Sequence, residues 1–272
     1  AISTKWRSDS SITLSYRKLL NVSWEPRGPG PHSVVMATLL LLSVIAGLVT
    51  TIAGLGGGLL LLLGVSALHG PHFGLAATTP ALLLSNVHRA YLFRSEVDRA
   101  IAKAFALGAV PAAALFGLLV IAMPAWMLSA IMVIATLIAV LRYFRPSLFA
   151  LGRRSLTAGG AVVGALTATS GGAGLLTSPL LMSAGLRGTA YVSTVALAAV
   201  SLHVGRLLGY GASGLLTRES LAALVALVPG LLVGNLIGKR VREHLTAKSE
   251  MVIELGALVV CTGLGVVGLV RG

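Results

Sequence analysis

The chain has 272 residues, of which 56% are hydrophobic and only 11% are charged, at a mean hydropathy of +0.93. A water-soluble domain carries about a quarter charged residues, so this composition excludes an ordinary soluble enzyme and points to a membrane protein. The net charge of +13 does not signal a nucleic-acid partner, because the Lys and Arg residues stand in short loops between apolar runs, where the cytoplasmic bias of membrane proteins places them.

Residues 1–35 are polar, carry Lys5, Arg7, Arg17, Lys18 and Arg27, and end in Pro26-Arg-Gly-Pro29-Gly-Pro31. No apolar core of signal-peptide length precedes Val34. This stretch reads as a disordered tail or a non-native extension, and the membrane domain is expected over 36–272. Apolar runs follow at 36–66, 74–93, 101–122, 124–143, 157–184, 188–210, 219–238 and 250–270. They approach or exceed the ~20 residues that cross ~30 Å of hydrocarbon. None alternates as a barrel strand does, so the expected fold is all-α, a polytopic helical membrane protein of eight segments. The single cysteine, Cys261, offers neither a disulfide nor a metal cluster, and neither metal nor cofactor is expected.

The chain repeats itself. Gly47-Leu-Val-Thr50-Thr-Ile-Ala-Gly54-Leu-Gly56-Gly57-Gly58 is answered by Gly164-Ala-Leu-Thr167-Ala-Thr-Ser170-Gly171-Gly172-Ala-Gly174, an offset of 117. Ser85-Asn86-Val-His88 is answered by Ser201-Leu-His203 at an offset of 115 for the histidines, and Pro111 by Pro229 at 118. Two four-segment repeats follow, about 36–150 and 155–272, each opening with a glycine-broken segment and carrying a histidine at membrane depth. That is the pattern of a secondary transporter.

Loop charge orients the repeats. If all eight segments span, the basic loops fall on both faces. If 36–66 and 157–184 are each a re-entrant hairpin or a half-crossing pair, Lys and Arg divide twelve inside against two outside, as the positive-inside rule prefers. The repeats are therefore expected to be inverted.

The candidate substrate site follows from these landmarks. Gly54, Gly56, Gly57 and Gly58, with Gly171, Gly172 and Gly174, would let a helix unwind at membrane depth, so that amide N–H groups and half-helix N-termini face an anion. Close helix packing through small residues, as at Gly230-x3-Gly234-x3-Gly238, is the other reading of such glycines. Thr50, Thr167 and Ser170 would add hydroxyl donors. His88 and His203, near Asn86 and Ser201, are expected to face one central cavity, where a protonated imidazole would bind an anion more tightly. Arg206, one turn after His203, is the candidate anion clamp, although a side chain near a helix end can also snorkel to the headgroups. Pro111 and Pro229 are candidate kinks, and Asn235 is the strongly polar residue amid 219–238.

At these residues the chain resembles the sulfite exporter TauE/SafE family. The resemblance rests on the Gly54-Leu-Gly-Gly-Gly-Leu59 run, the Ala76-Ala-Thr-Thr79 stretch and the polar residues before His88. It covers about 40–270 and echoes more weakly in the second half. It implies a multi-pass transporter in the bacterial inner membrane that moves sulfite, sulfonates or related small organic anions by alternating access, with a proton or Na+ as coupling ion. The sequence departs from the family pattern at Ser170-Gly-Gly-Ala-Gly174, which lacks an uninterrupted glycine triplet, and at Leu62-Leu63, where a proline often follows. An intramembrane enzyme using His88 and His203 lacks a third ligand or an acidic partner for them. A non-transporting scaffold would have no use for duplicated polar residues at membrane depth. Oligomeric state is not legible in the sequence.

Overall fold

A computed structural model describes residues 32–53, 56–144, 155–171 and 174–271. Gly54 and Gly172 of the candidate site, and most of the polar tail, lie outside the described residues. All regular structure among those described is helical. The first half contains α1 His32–Ala53, α2 Gly57–His69, α3 Pro71–Leu92, α4 Arg99–Leu119 and α5 Ala125–Phe144. The second contains α6 Leu156–Ser170, α7 Gly174–Ser183, α8 Gly188–Ser213, the single turn α9 Arg218–Ala222, α10 Leu224–Arg242 and α11 Ala247–Arg271.

Both glycine-broken segments are two helices each. Gly56 sits at φ +89 between α1 and α2, and Gly171 caps α6 at φ +65, its N–H donating to the Thr167 carbonyl at 2.8 Å. A residue with a Cβ rarely adopts that conformation, so these positions end one helix and let the chain reverse. It does reverse. Gly57 lies against Ala46 and Thr50 while Gly64 lies against Leu42, so α2 runs antiparallel to α1. Gly159 faces Leu180, so α7 runs antiparallel to α6 in the same way. The 36–66 and 157–184 runs are thus helical hairpins, and α1 begins at His32, inside the stretch read as tail.

The bundle is assembled by exchange between the halves. Helix α1 packs along α10 of the second half, and α6 packs along α4 of the first. Both pairs are parallel and close. A Cβ on Gly234 would lie 2.2 Å from the Val44 carbonyl oxygen, and one on Gly164 2.4 Å from that of Ala109. The Gly230-x3-Gly234-x3-Gly238 row therefore does what small residues do between membrane helices: it lets backbones touch. Helices α3 and α8 meet at the centre, and α4 also packs along α8, with Gly205 against Val110 and Ala113.

The outside is apolar. Val225, Val259 and Val270 are 73%, 69% and 81% exposed, a surface that only lipid covers favourably. Five helical stretches are long and apolar enough to cross a bilayer, namely Val34–Ile52, Arg99–Ala122, Gly188–Ser213, Arg218–Arg242 and Lys248–Val270, with shorter apolar helices Gly57–His69, Ala125–Leu141 and Leu156–Ser170. The protein is a multi-pass helical membrane protein. Helix α3 stands apart from those five because it carries Thr78, Thr79, Ser85, Asn86 and Arg89, all buried inside the bundle. Pro111 and Pro229 lie within α4 and α10.

Candidate functional site

The last turn of a helix leaves carbonyl oxygens without intrahelical partners. At membrane depth no water supplies them, so other groups must. In the first half those groups are guanidinium groups. Arg89 of α3 donates through Nη1 to the Thr50 carbonyl at 2.9 Å and through Nη2 to Asn86 Oδ1 at 2.8 Å. Arg242 of α10 reaches the Thr51 carbonyl at 3.4 Å and pairs with Glu250 at 3.2 Å. The Thr51 hydroxyl donates to Asn235 Oδ1 at 3.0 Å, and Asn235 Nδ2 donates to Ser85 Oγ at 2.9 Å. The Thr50 hydroxyl turns back to the Ala46 carbonyl at 2.7 Å. The end of α1 is thus tied to α3 and α10 by a polar network, with positive charge at the negative end of a helix dipole.

The second half is built differently. Thr167 and Ser170 direct their hydroxyls to the Val163 and Leu166 carbonyls, at 2.6 and 2.7 Å. The Ala168 carbonyl is taken by the hydroxyl of Tyr210. Arg206 stands behind that tyrosine. Its Nε donates to Tyr210 Oη at 3.2 Å, its guanidinium lies 5.4 Å over the tyrosine ring, and its Nη1 faces His203 Nδ1 at 3.4 Å. Arg206 is 0% exposed, and its Nη2 has no hydrogen-bond partner among the described residues. On the first turn of α7 the Thr177 hydroxyl, 1% exposed, likewise has none. His203 lies within electrostatic reach of both Arg206 and Arg89, and their helices α3 and α8 pack together.

The remaining candidates separate. Gly57 is a packing residue, since a Cβ there would stand 2.0 Å from the Ala46 carbonyl oxygen and from Thr50 Oγ1. Gly58 has only ordinary contact with Leu82 at 3.6 Å. A Cβ on Gly171 would stand 2.0 Å from Leu62 Cδ2, so the tip of the second hairpin lies against the middle of α2. Gly174 opens α7. The Ser201 hydroxyl bonds the Ala198 carbonyl of its own helix at 2.6 Å. His88 is partly exposed, and its Nδ1 has no partner among the described residues.

The buried cations are what the two halves share. Arg89 and Arg206 are 117 apart, like Thr50 and Thr167, or Gly57 and Gly174. Asn86 and His203 share that spacing, and each is the residue that its arginine bonds three positions earlier. By that register the counterpart of His88 is Gly205, whose missing side chain admits Val110 of α4. Arg89 and Arg206 are 2% and 0% exposed, so neither snorkels. Sequence reasoning ranks Arg89 behind Arg206 and passes over Tyr210 and Thr177. The exact 117 spacing pairs Arg89 with Arg206, and the i, i+4 relation to Arg206 points to Tyr210.

A family profile described as sulfite exporter TauE/SafE matches residues 39–267. The chain belongs to the sulfite exporter TauE/SafE family. Searches of curated proteins and of solved structures returned no match. The matched stretch takes in both hairpins, both buried arginines and the α1–α10 and α4–α6 pairs of this TauE/SafE chain. Membership makes it a membrane transporter of an exporter family for sulfur-containing anions.

Proposed function

We propose that this TauE/SafE chain is a secondary transporter that moves a small oxyanion, sulfite, a sulfonate or a related organic anion, across the bacterial inner membrane by alternating access. One observation carries the reading. Arg206 is a fully buried cation that forms no ion pair with a carboxylate among the described residues, and one of its nitrogens is left without a partner. An uncompensated charge inside a membrane protein is costly, and such residues mark substrate pathways. A guanidinium matches the planar pair of oxygens on a sulfite, sulfonate or carboxylate. The free hydroxyl of Thr177 and the amide groups at the start of α7 supply further donors beside the second glycine break. Arg89, held by Thr50 and Asn86, contributes positive potential at the same centre. His203, 3.4 Å from Arg206 Nη1, completes the site.

We also infer that the repeats are inverted. Arg89 ties the end of α3 to the end of α1, and His72 at the start of α3 touches the Val120 and Met123 carbonyls at the end of α4. With α6 parallel to α4, the two hairpins enter from opposite ends of the bundle. Arg94, Arg99, Lys103, Arg187, Lys239, Arg240 and Lys248 then gather at one end, which is the cytoplasmic one by the positive-inside rule.

The test is direct binding and proteoliposome flux with sulfite, sulfate, methanesulfonate, sulfoacetate and acetate. Saturable movement of at least one sulfur oxyanion is expected. If none of the five binds or moves, the reading is wrong.

A further inference from the structure

Tyr210 lies one helical turn beyond Arg206 and is 0% exposed, with its hydroxyl between the guanidinium and the end of α6. A phenol has one proton and two lone pairs. Here the proton goes to the Ala168 carbonyl and the oxygen accepts from Arg206 Nε. The guanidinium is a rigid planar fork. Fixing the direction of its Nε–H, with the ring beneath it, therefore fixes where Nη2 points. The first half has no such intermediary. The position 117 before Tyr210 is Phe93, and Arg89 bonds the Thr50 carbonyl directly. In the second half the Thr167 carbonyl accepts from the Gly171 N–H and the Ala168 carbonyl from the tyrosine hydroxyl, and Arg206 bonds to neither, its Nη2 being without a partner among the described residues.

We propose that Tyr210 is the positioning residue of the anion site: its hydroxyl, held between the end of α6 and the guanidinium, aims Arg206 Nη2 at the substrate. The proposal rests on the anion-site reading above. It assigns anion binding to the second half, with one anion bound per chain. It also makes the site mechanically continuous with the second hairpin, because the same hydroxyl holds the last turn of α6.

Tyr210→Phe keeps the ring and its cation–π contact but removes the acceptor. Loss of a hydrogen bond to a charged group predicts a rise in the sulfite Kd and KM of about tenfold or more, with kcat changed much less. Tyr91→Phe, on an exposed face, is the control and should match the parent protein. A double-mutant cycle separates positioning from support of the helix end. Arg206→Lys has no Nε–H in a fork to be aimed, so adding Tyr210→Phe to it should raise KM little further. If Tyr210→Phe does not accumulate as folded protein, 3-fluorotyrosine at 210 serves instead. Assayed at pH 6, where it keeps its proton, it is a poorer acceptor and should raise KM by a smaller factor. Unchanged KM in Tyr210→Phe, or in the fluorotyrosine protein if only that folds, overturns the proposal. So does an equal KM penalty in the Arg206→Lys background. In either case sulfite binding by the parent protein leaves the anion-site reading standing. Absence of binding of all five anions by the parent protein removes both.

Discussion

Arg89 and Arg206 hold corresponding positions in the two halves and have become different instruments. Arg89 spends its Nη1 and Nη2 donors on the Thr50 carbonyl and Asn86. Arg206 stands behind Tyr210, whose hydroxyl takes the Ala168 carbonyl, and keeps Nη2 free of any partner among the described residues. The two should therefore fail differently on substitution. Arg206→Met is expected to lower sulfite flux by about a hundredfold or more while the protein stays folded, because a charge-assisted clamp is lost and a costly buried charge is removed with it. Arg89→Met should lower the unfolding midpoint in detergent, through a buried carbonyl left unmade at a cost of about 1–3 kcal/mol, whatever it does to flux. Thermal melts and flux assays on both variants check this. Equal effects of the two on stability and on flux would mean that the asymmetry has no functional content.

At the level of helices, the glycines divide into those that turn the chain and those that admit another backbone. Gly56 and Gly171 do the first, at φ +89 and +65. Gly57, Gly164 and Gly234 do the second, with backbone oxygens 2.0 to 2.4 Å from any added Cβ. Gly57→Leu should therefore still insert in the membrane, since single helices insert before they pack, yet fail to close the α1–α2 hairpin and transport nothing. Gly58→Ala, where a Cβ meets only Leu82 at 3.6 Å, should be tolerated. Membrane fractionation followed by flux measurement tests both. Normal transport by Gly57→Leu would show that the hairpin opens at no cost.

Across the whole molecule, each half lends its first helix to the other half, so neither repeat can complete its own core. The two hairpin tips come close: Gly171 lies against Leu62, six residues along α2 from Gly56, or ~9 Å at the helical rise. If the hairpins are opposed, as proposed, their overlap would put the proposed site within reach of both faces, which alternating access requires. The inverted arrangement predicts a labelling pattern. Cysteines placed at Ser95, Arg187 and Glu243 should react with an impermeant thiol reagent from one side of the membrane, and those at Gly70, Pro124 and Leu216 from the other. Native Cys261 is buried and can be replaced by Ser beforehand. Reaction of Ser95→Cys and Arg187→Cys from opposite sides would refute the topology.

The membrane class, the all-helical fold and the break in the first segment of each half were legible in the sequence. They depend on local quantities: run length, glycine content and the placement of Lys and Arg. The family resemblance was legible in the glycine run for the same reason. What the sequence could not decide was which polar residues meet. His88 and His203 look alike in one dimension, but a shift of two residues turns a helical side chain by about 200°. Only packing shows that His203 shares a buried cluster with Arg206 while His88 is partly exposed. Likewise the bond between Tyr210 and Ala168, 42 residues apart, and the exchange of α1 and α6 between halves arise from contacts distant in sequence. The chain therefore specified its helices and their breaks locally, whereas the register of helix against helix determined which arginine caps the end of α1 and which stands behind Tyr210 with an unpartnered Nη2.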